Sequence, residues 1–258
     1  MLTRNQVRFI SDLRHSSHRH DTGLFLAEGH RLVTDMLHCG AEILAIYALE
    51  SWLYQNLALC KLKSIAPQLV SEQLMGRISA LTNPSPVLAL VKIPNPPVEE
   101  IPVATELVLL LDDIRDPGNL GTIVRSADWF GIRHICLTPG SVDLYNTKVV
   151  QATMGSIIRV NHYEVEPESW LRTLPAETPV MGTVLDGDSI YTAALPLTGV
   201  IVVGNEGRGI SREIQSLLTN RLTIPTGATD TLSAESLNAG VAAALVMSEF
   251  TRRRLSGG

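Results

Sequence analysis

Cysteine is scarce. Three residues, at positions 39, 60 and 136, form no CxxC pair and have no histidine at zinc-ligand spacing. Their pattern argues against a disulfide framework or a structural metal and points to a reducing compartment. Long apolar runs are missing too: the longest, residues 241–247, is far too short to span a bilayer, and MLTRNQVRFI lacks the apolar core of a signal peptide. The expectation is a soluble cytoplasmic protein with no metal and no membrane partner. Internal repeats and low-complexity tracts are absent. No strand is followed by GxGxxG, and GxxxxGK[ST] does not occur, so neither phosphate-cradling fingerprint applies. An overall basic excess is also lacking, the formal net charge being -5.

The distribution of charge says more than its sum. Residues 1–95 carry 9 Lys+Arg against 7 Asp+Glu, whereas residues 96–258 carry 12 against 19. Five of the seven histidines (15, 18, 20, 30 and 38) fall in the first 40 residues, beside Arg4, Arg8, Arg14, Arg19 and Arg31. This cluster fits either a solvated polar N-terminus or a phosphate-contacting surface.

At 258 residues and 45% hydrophobic, the chain can bury a full core and form two modest domains. Residues 1–94 read as a small α/β unit: a helix over 3–14, a strand over 23–27, a helix over 28–38, a strand over 43–49, a helix over 67–75 and a strand over 87–93. Four prolines in PNPPVEEIP (94–102) suit neither helix nor central strand, so residues 95–105 read as a linker. A second unit over 106–258 opens with ELVLLLDD, apolar enough for a parallel strand covered on both faces. Helices over 119–130 and 148–158 alternate with strands over 134–139 and 179–185, which predicts a parallel sheet with helices on both faces.

Two strand-to-loop-to-helix crossings close the chain. In the first, a strand over 200–203 enters a loop with glycines at 204, 207 and 209 and then a helix near 211. In the second, a strand over 222–225 leads through a long loop to a helix over 235–253 that is apolar nearly all round. Ligands in such sheets bind at the carboxyl ends of strands, which makes these loops the first place to seek a cofactor. Taken singly, their residues have plain readings. GNEGRG fits a tight turn, with Glu206 and Arg208 solvated. Asn119 is expected as the cap of helix 119–130, with Arg125 flanking the apolar stripe about 9 Å further along. Ser236 and Asn238 suit a cap or a polar ligand site equally.

Together these stretches resemble a known family. DPGNLGTIVRSADWFGI (116–132), VVGNEGRGIS (202–211) and the IP…ESLNAGVAAAL pattern (224–245) are similar to the three ordered motifs of the SpoU or TrmH family of RNA ribose 2′-O-methyltransferases. FLAEGHRLVTDML (25–37) resembles the small substrate-binding domain of the ribosomal-RNA members. The resemblance implies a C-terminal trefoil-knotted parallel-sheet methyltransferase domain behind a smaller N-terminal α/β domain, despite the general rule against knots. It also implies a homodimer through the knotted domain, consistent with a final helix needing cover on several sides.

The implied cofactor is S-adenosylmethionine, held by backbone around Gly204, Ile224 and Leu237 and by the polar positions Ser236 and Asn238. Asn119, Arg125 and Glu206 match the catalytic positions, with Arg125 carrying catalysis, and Arg14, Arg19 and Arg31 are the candidate RNA contacts. Ribosomal RNA is the preferred substrate and transfer RNA the second. One departure is the loop TGATDTLSAE (226–235), longer than in most relatives, with Thr226 where Met is common. No histidine or carboxylate stands at the matching catalytic position, and a guanidinium is a poor base at neutral pH. Arg125 is therefore expected to bind the substrate phosphate and hydroxyl together, the proton leaving through this pair or through water. The competing classes are a nicotinamide or flavin enzyme, disfavoured by the missing GxGxxG, and a non-catalytic RNA-binding protein of the same fold.

Overall fold

The computed structural model describes residues 2–227 and 235–257. Helix α1 (Arg4–Asp12) starts at a capping box between Thr3 and Gln6 and buries Val7 and Ile10. Helix α2 (Ser16–Thr22) ends on Gly23, whose φ of 65° is the left-handed conformation glycine favours, and β1 (Leu24–Glu28) follows at once. Helix α3 (His30–Cys39) buries Leu32, Val33, Met36 and Leu37 at three- and four-residue spacing. Then come β2 (Ile43–Ala48), α4 (Glu50–Leu62), β3 (Gln68–Leu69), α5 (Glu72–Ile78) and β4 (Val87–Lys92). The four strands form a mixed sheet in the order β1-β4-β2-β3, parallel only between β2 and β3.

Two helices here, α2 and α4, were not expected from the sequence. In α4 the buried residues Trp52, Asn56 and Cys60 make a narrow stripe that includes an amide, while Tyr54, Leu57 and Leu62 face solvent, so the periodicity is blurred. The helix expected over 67–75 is instead β3 followed by α5, because Ser71 caps α5 by accepting from Leu74 N–H at 3.2 Å.

The remaining elements run β5 (Leu107–Leu111), α6 (Pro117–Phe130), β6 (His134–Leu137), α7 (Thr147–Ala152), β7 (Asn161–Glu164), α8 (Pro167–Thr173), β8 (Val180–Ser189), β9 (Gly199–Val203), α9 (Arg212–Gln215), β10 (Asn220–Thr223) and α10 (Ala239–Leu255). All six strands are parallel, in the order β10-β8-β9-β5-β6-β7. The expected α/β class, with a parallel sheet and a smaller N-terminal α/β domain, is what the structure has. β5 and β9 are central and buried at every position, as near-continuous apolar strands must be. Strand β7 and helix α8 were not anticipated.

The chain forms two compact units: Asp143–Arg159 belongs with the residues up to Pro94, and the second unit is Asn95–Val142 with Val160 onward. Strand and helix alternation places residues 148–158 in the second unit, but side chains hold this segment to the first. Arg19 pairs with Asp143, the Phe25 and Tyr145 rings lie 4.8 Å apart, and Gln151 Nε2 donates to Glu28 O at 2.7 Å. Among the described residues no helix is long and apolar enough to cross a membrane, and no cluster of His, Cys, Asp or Glu could hold a metal ion.

Candidate active site

Three loops at the carboxyl ends of β5, β9 and β10 build the site, all in the second unit. After β5, Asp112 accepts from Ser211 N–H at 2.7 Å and so ties the start of α9 to the sheet. The cap of α6 is Asp116, which accepts from Asn119 N–H at 2.8 Å, with Pro117 in the first turn, where its missing N–H costs nothing. Asn119 therefore lies inside the helix and is not its cap, a correction to the sequence reading. Its amide is released for other partners.

After β9 the chain doubles back. Asn205 and Gly209 exchange both backbone hydrogen bonds, at 3.1 and 2.9 Å, which brings Gly204 against the Gly209–Ile210 backbone, where a side chain would collide. Asn205 Oδ1 accepts from Gly207 and Arg208 N–H at 2.9 and 3.1 Å, and its Nδ2 donates to Asp113 O at 2.9 Å. This asparagine, which the sequence reading passed over, sets the shape of the Glu206 turn and joins it to the β5–α6 loop. The signal available for it was its place in a glycine-rich turn, where asparagine side chains commonly replace backbone partners.

The final helix starts at Ala239, four residues later than expected, capped by Asn238 Oδ1 accepting from Val241 N–H at 3.2 Å. Gly240 lets α10 approach α6: a Cβ there would sit 3.2 Å from Thr122 Cγ2. Because Asn238 Oδ1 is taken by a backbone donor, its Nδ2 must point outward, and it donates to Asn119 Oδ1 at 2.8 Å. Asn119 Nδ2 in turn donates to Glu206 Oε1. One backbone N–H thus orients both amides and ends the relay on a carboxylate. Ser236 Oγ donates to Glu206 O at 3.4 Å, so residues from all three loops converge on Glu206.

The other candidates separate clearly. Arg125 lies further along α6, solvent-exposed, with no hydrogen bond or ion pair to a described residue. Gly204, Ile224 and Leu237 flank the site, and none makes a backbone hydrogen bond to another described residue. Residues 228–234, most of the long loop singled out in the sequence, lie outside the described residues.

In the first unit, Arg31 is exposed, while Arg14 donates to Ser79 O and, at 3.4 Å, to Arg77 O. Arg19 is only 2% exposed; it pairs with Asp143 and donates from Nη1 to Leu13 O at 2.7 Å. The expected role of Arg19 as an RNA contact is therefore wrong. A guanidinium this enclosed, with each of its three nitrogens bonded to Asp143 or to Leu13 O, is not open to a phosphate.

A model of the SpoU rRNA Methylase family matches residues 106–248, and one of the MRM3-like substrate binding domain matches residues 4–89. The chain is 29% identical over 246 residues to the 23S rRNA (guanosine(2553)-2′-O)-methyltransferase RlmP of Bacillus subtilis, covering 94% of each. The solved structure of a TrmH-family protein from Porphyromonas gingivalis is 38% identical, with a TM-score of 0.83 over 98% of this chain and 99% of that one. The AdoMet-bound rRNA methyltransferase from Sinorhizobium meliloti is 30% identical, with a TM-score of 0.85 over 99% of this chain and 97% of that one. With its motifs joined in one polar relay and more than half its length matched by the family model, the chain belongs to the SpoU rRNA methylase family.

Proposed function

We propose that the protein is a homodimeric enzyme that methylates a ribose 2′-hydroxyl of ribosomal RNA with S-adenosylmethionine. The observation that carries this reading is the relay from Val241 N–H through Asn238 and Asn119 to Glu206, which assembles the three motifs into one site. The residues fit the cofactor. Among the described residues, the backbone groups of Gly204, Ile224 and Leu237 are unpaired and would hold an adenine edge and a ribose, and the absent side chain at Gly204 allows close approach. Bound there, the cofactor supplies an electrophilic methyl group.

What this chain adds is placement and charge. Holding two reactants in near-attack geometry is worth roughly 7 to 11 kcal/mol. Asn119 and Asn238, oriented by a backbone donor, keep Glu206 in place. Arg125, exposed and uncommitted, binds the substrate phosphate and the reacting hydroxyl, whose proton leaves through that pair or through water. The 4–89 match to a substrate-binding domain and the exposed Arg31 support RNA recognition by the first unit.

Two finer features belong to the same reading. The dimer is supported by apolar surface on α6 and α10: Trp129 is 84% exposed, Val241 48% and Leu245 37%. Trp129 is one helical turn beyond Arg125, so a second copy covering it would lie beside the catalytic arginine. The trefoil knot is supported by where the described elements lie: β10 is at the sheet edge, Ser236 Oγ donates to Glu206 O, and α10 packs on α6.

The test is incorporation of labelled methyl from S-adenosylmethionine into unmodified ribosomal and transfer RNA, followed by nucleoside analysis. Label in a 2′-O-methylnucleoside of ribosomal RNA is expected. Label confined to transfer RNA would move the substrate, and cofactor binding without transfer to either would leave a non-catalytic RNA-binding role. Arg125→Ala should abolish transfer and spare cofactor affinity; equal loss of both would give Arg125 a structural role.

A further inference from the structure

Asp113 is one of three residues other than glycine with positive φ among those described, at 57°, and it lies at the exit of β5 beside the relay. Its backbone is held on both sides: its N–H donates to Thr138 Oγ1 at 3.0 Å, and its C=O accepts from Asn205 Nδ2 at 2.9 Å. Its carboxylate faces two arginines from two different loops. Arg115 Nε donates to Oδ1 at 2.7 Å, and Arg208 Nη1 stands 3.9 Å from Oδ2, beyond hydrogen-bond reach. Room for this carboxylate comes from Gly140, where a Cβ would lie 2.7 Å from Oδ1.

Stability does not account for the arrangement. A left-handed conformation is unfavourable for an L-residue, though less so for aspartate. Exposed ion pairs add little stability, and the arginine side chains here are 59% and 73% exposed. Two guanidinium groups also share one carboxylate, which leaves a positive charge over. Among the described residues, Arg115 hydrogen-bonds only through Nε, and Arg208 only through its backbone N–H, which Asn205 fixes. Arg115 is four positions before Asn119 and Arg208 two after Glu206, so both lie on the loops that carry the relay.

We propose that Arg115 and Arg208, aimed by the shared carboxylate of Asp113, form a clasp for a phosphodiester group of the substrate RNA next to the nucleotide being methylated. The planar guanidinium fork matches a phosphate with two parallel hydrogen bonds. In a domain with an acidic excess, two arginines directed this way let a polyanion approach the site. The other oxyanion that the site would hold is the carboxylate of the cofactor. The inference rests on the RNA methyltransferase reading above.

The test uses the full chain, with in-vitro transcribed, unmodified 23S ribosomal RNA as the probe, bound over a range of salt concentrations. Arg115→Gln/Arg208→Gln should weaken RNA binding about tenfold or more at low salt. It should also flatten the slope of log affinity against log salt by about 1 to 2, as expected for one or two lost phosphate contacts. Cofactor affinity, measured by calorimetry, should stay within twofold, and Arg115→Lys/Arg208→Lys should recover most of the slope. Melting curves check that both variants fold; should the glutamine pair not, the lysine pair carries the test through its wild-type-like slope and weakened low-salt binding. A wild-type protein that binds and methylates the RNA beside a glutamine variant with unchanged affinity and slope overturns the clasp alone. Lost cofactor affinity with RNA binding retained overturns it in favour of the cofactor carboxylate. Wild-type protein that binds no RNA overturns both readings.

Discussion

Asn238 donates its amide N–H to Asn119 Oδ1 across 2.8 Å, although the two residues stand 119 positions apart in the chain. This bond orients Asn119 so that its own N–H meets Glu206. Asn119→Asp keeps the shape, removes the donor and places one carboxylate against another. Transfer should slow by about 10- to 150-fold, the equivalent of roughly 1.5 to 3 kcal/mol for a hydrogen bond to a charged group. Single-turnover methyl incorporation measures this, and an unchanged rate would remove the relay from the mechanism.

Gly204 and Gly207 share a loop and should respond oppositely to alanine. At Gly204 a Cβ would meet the Gly209–Ile210 backbone, which has no flexible end to yield, whereas at Gly207 the nearest atom is 3.7 Å away. Gly204→Ala should lose cofactor binding by calorimetry and melt earlier; Gly207→Ala should do neither. Similar behaviour of the two would mean that the backbone crossing does not shape the cofactor site.

Arg19 is structural, and its loss should show as instability. Arg19→Gln leaves Asp143 without its buried partner and loosens the 143–159 segment from the first unit. Because Asp143 keeps 31% of its side-chain surface exposed, the cost should be about 3 kcal/mol, the lower end for a broken buried pair. Denaturant melts measure it, and salt dependence of RNA binding should be unchanged.

Glu249 makes α10 sensitive to acid. Hydrogen bonds from Arg252 and Arg253 at 2.7 to 2.8 Å lower its pKa from 4.5 to about 2. Since the folded value is depressed, the stabilisation is present above pH 4.5 and is lost as pH falls towards about 2. Thermal melts of the wild type should decline through that window more steeply than those of Glu249→Gln, which should be less stable at neutral pH. Parallel curves would contradict the assignment.

Trp129 tests the proposed dimer. At 84% exposure its indole is in water in the single chain, and in the proposed dimer a second copy would cover it. Sedimentation should find a dimer in the wild type and a monomer in Trp129→Glu, with the wild type's tryptophan emission blue-shifted relative to a dilution-dissociated sample. A wild-type monomer at micromolar concentration would end the proposal.

The sequence by itself determined the strand and helix alternation, the parallel sheet and the three motif loops, because apolar periodicity and glycine-rich turns act over a few residues. Family resemblance then named Asn119, Glu206, Ser236 and Asn238, and the structure brings these four together. What local pattern could not carry was who bonds to whom. Asp116 displaced Asn119 as the cap through a hydrogen bond visible only once the helix start was placed. Asn205 was overlooked because its partner Asp113 lies 92 positions away. Arg19 looked like surface charge until Asp143, 124 positions away, closed over it, and the same contact moved residues 143–159 to the first unit. Short-range sterics and hydrophobic spacing are written in the order of residues; the partners of polar groups are chosen by long-range packing, and only the tertiary structure decided them.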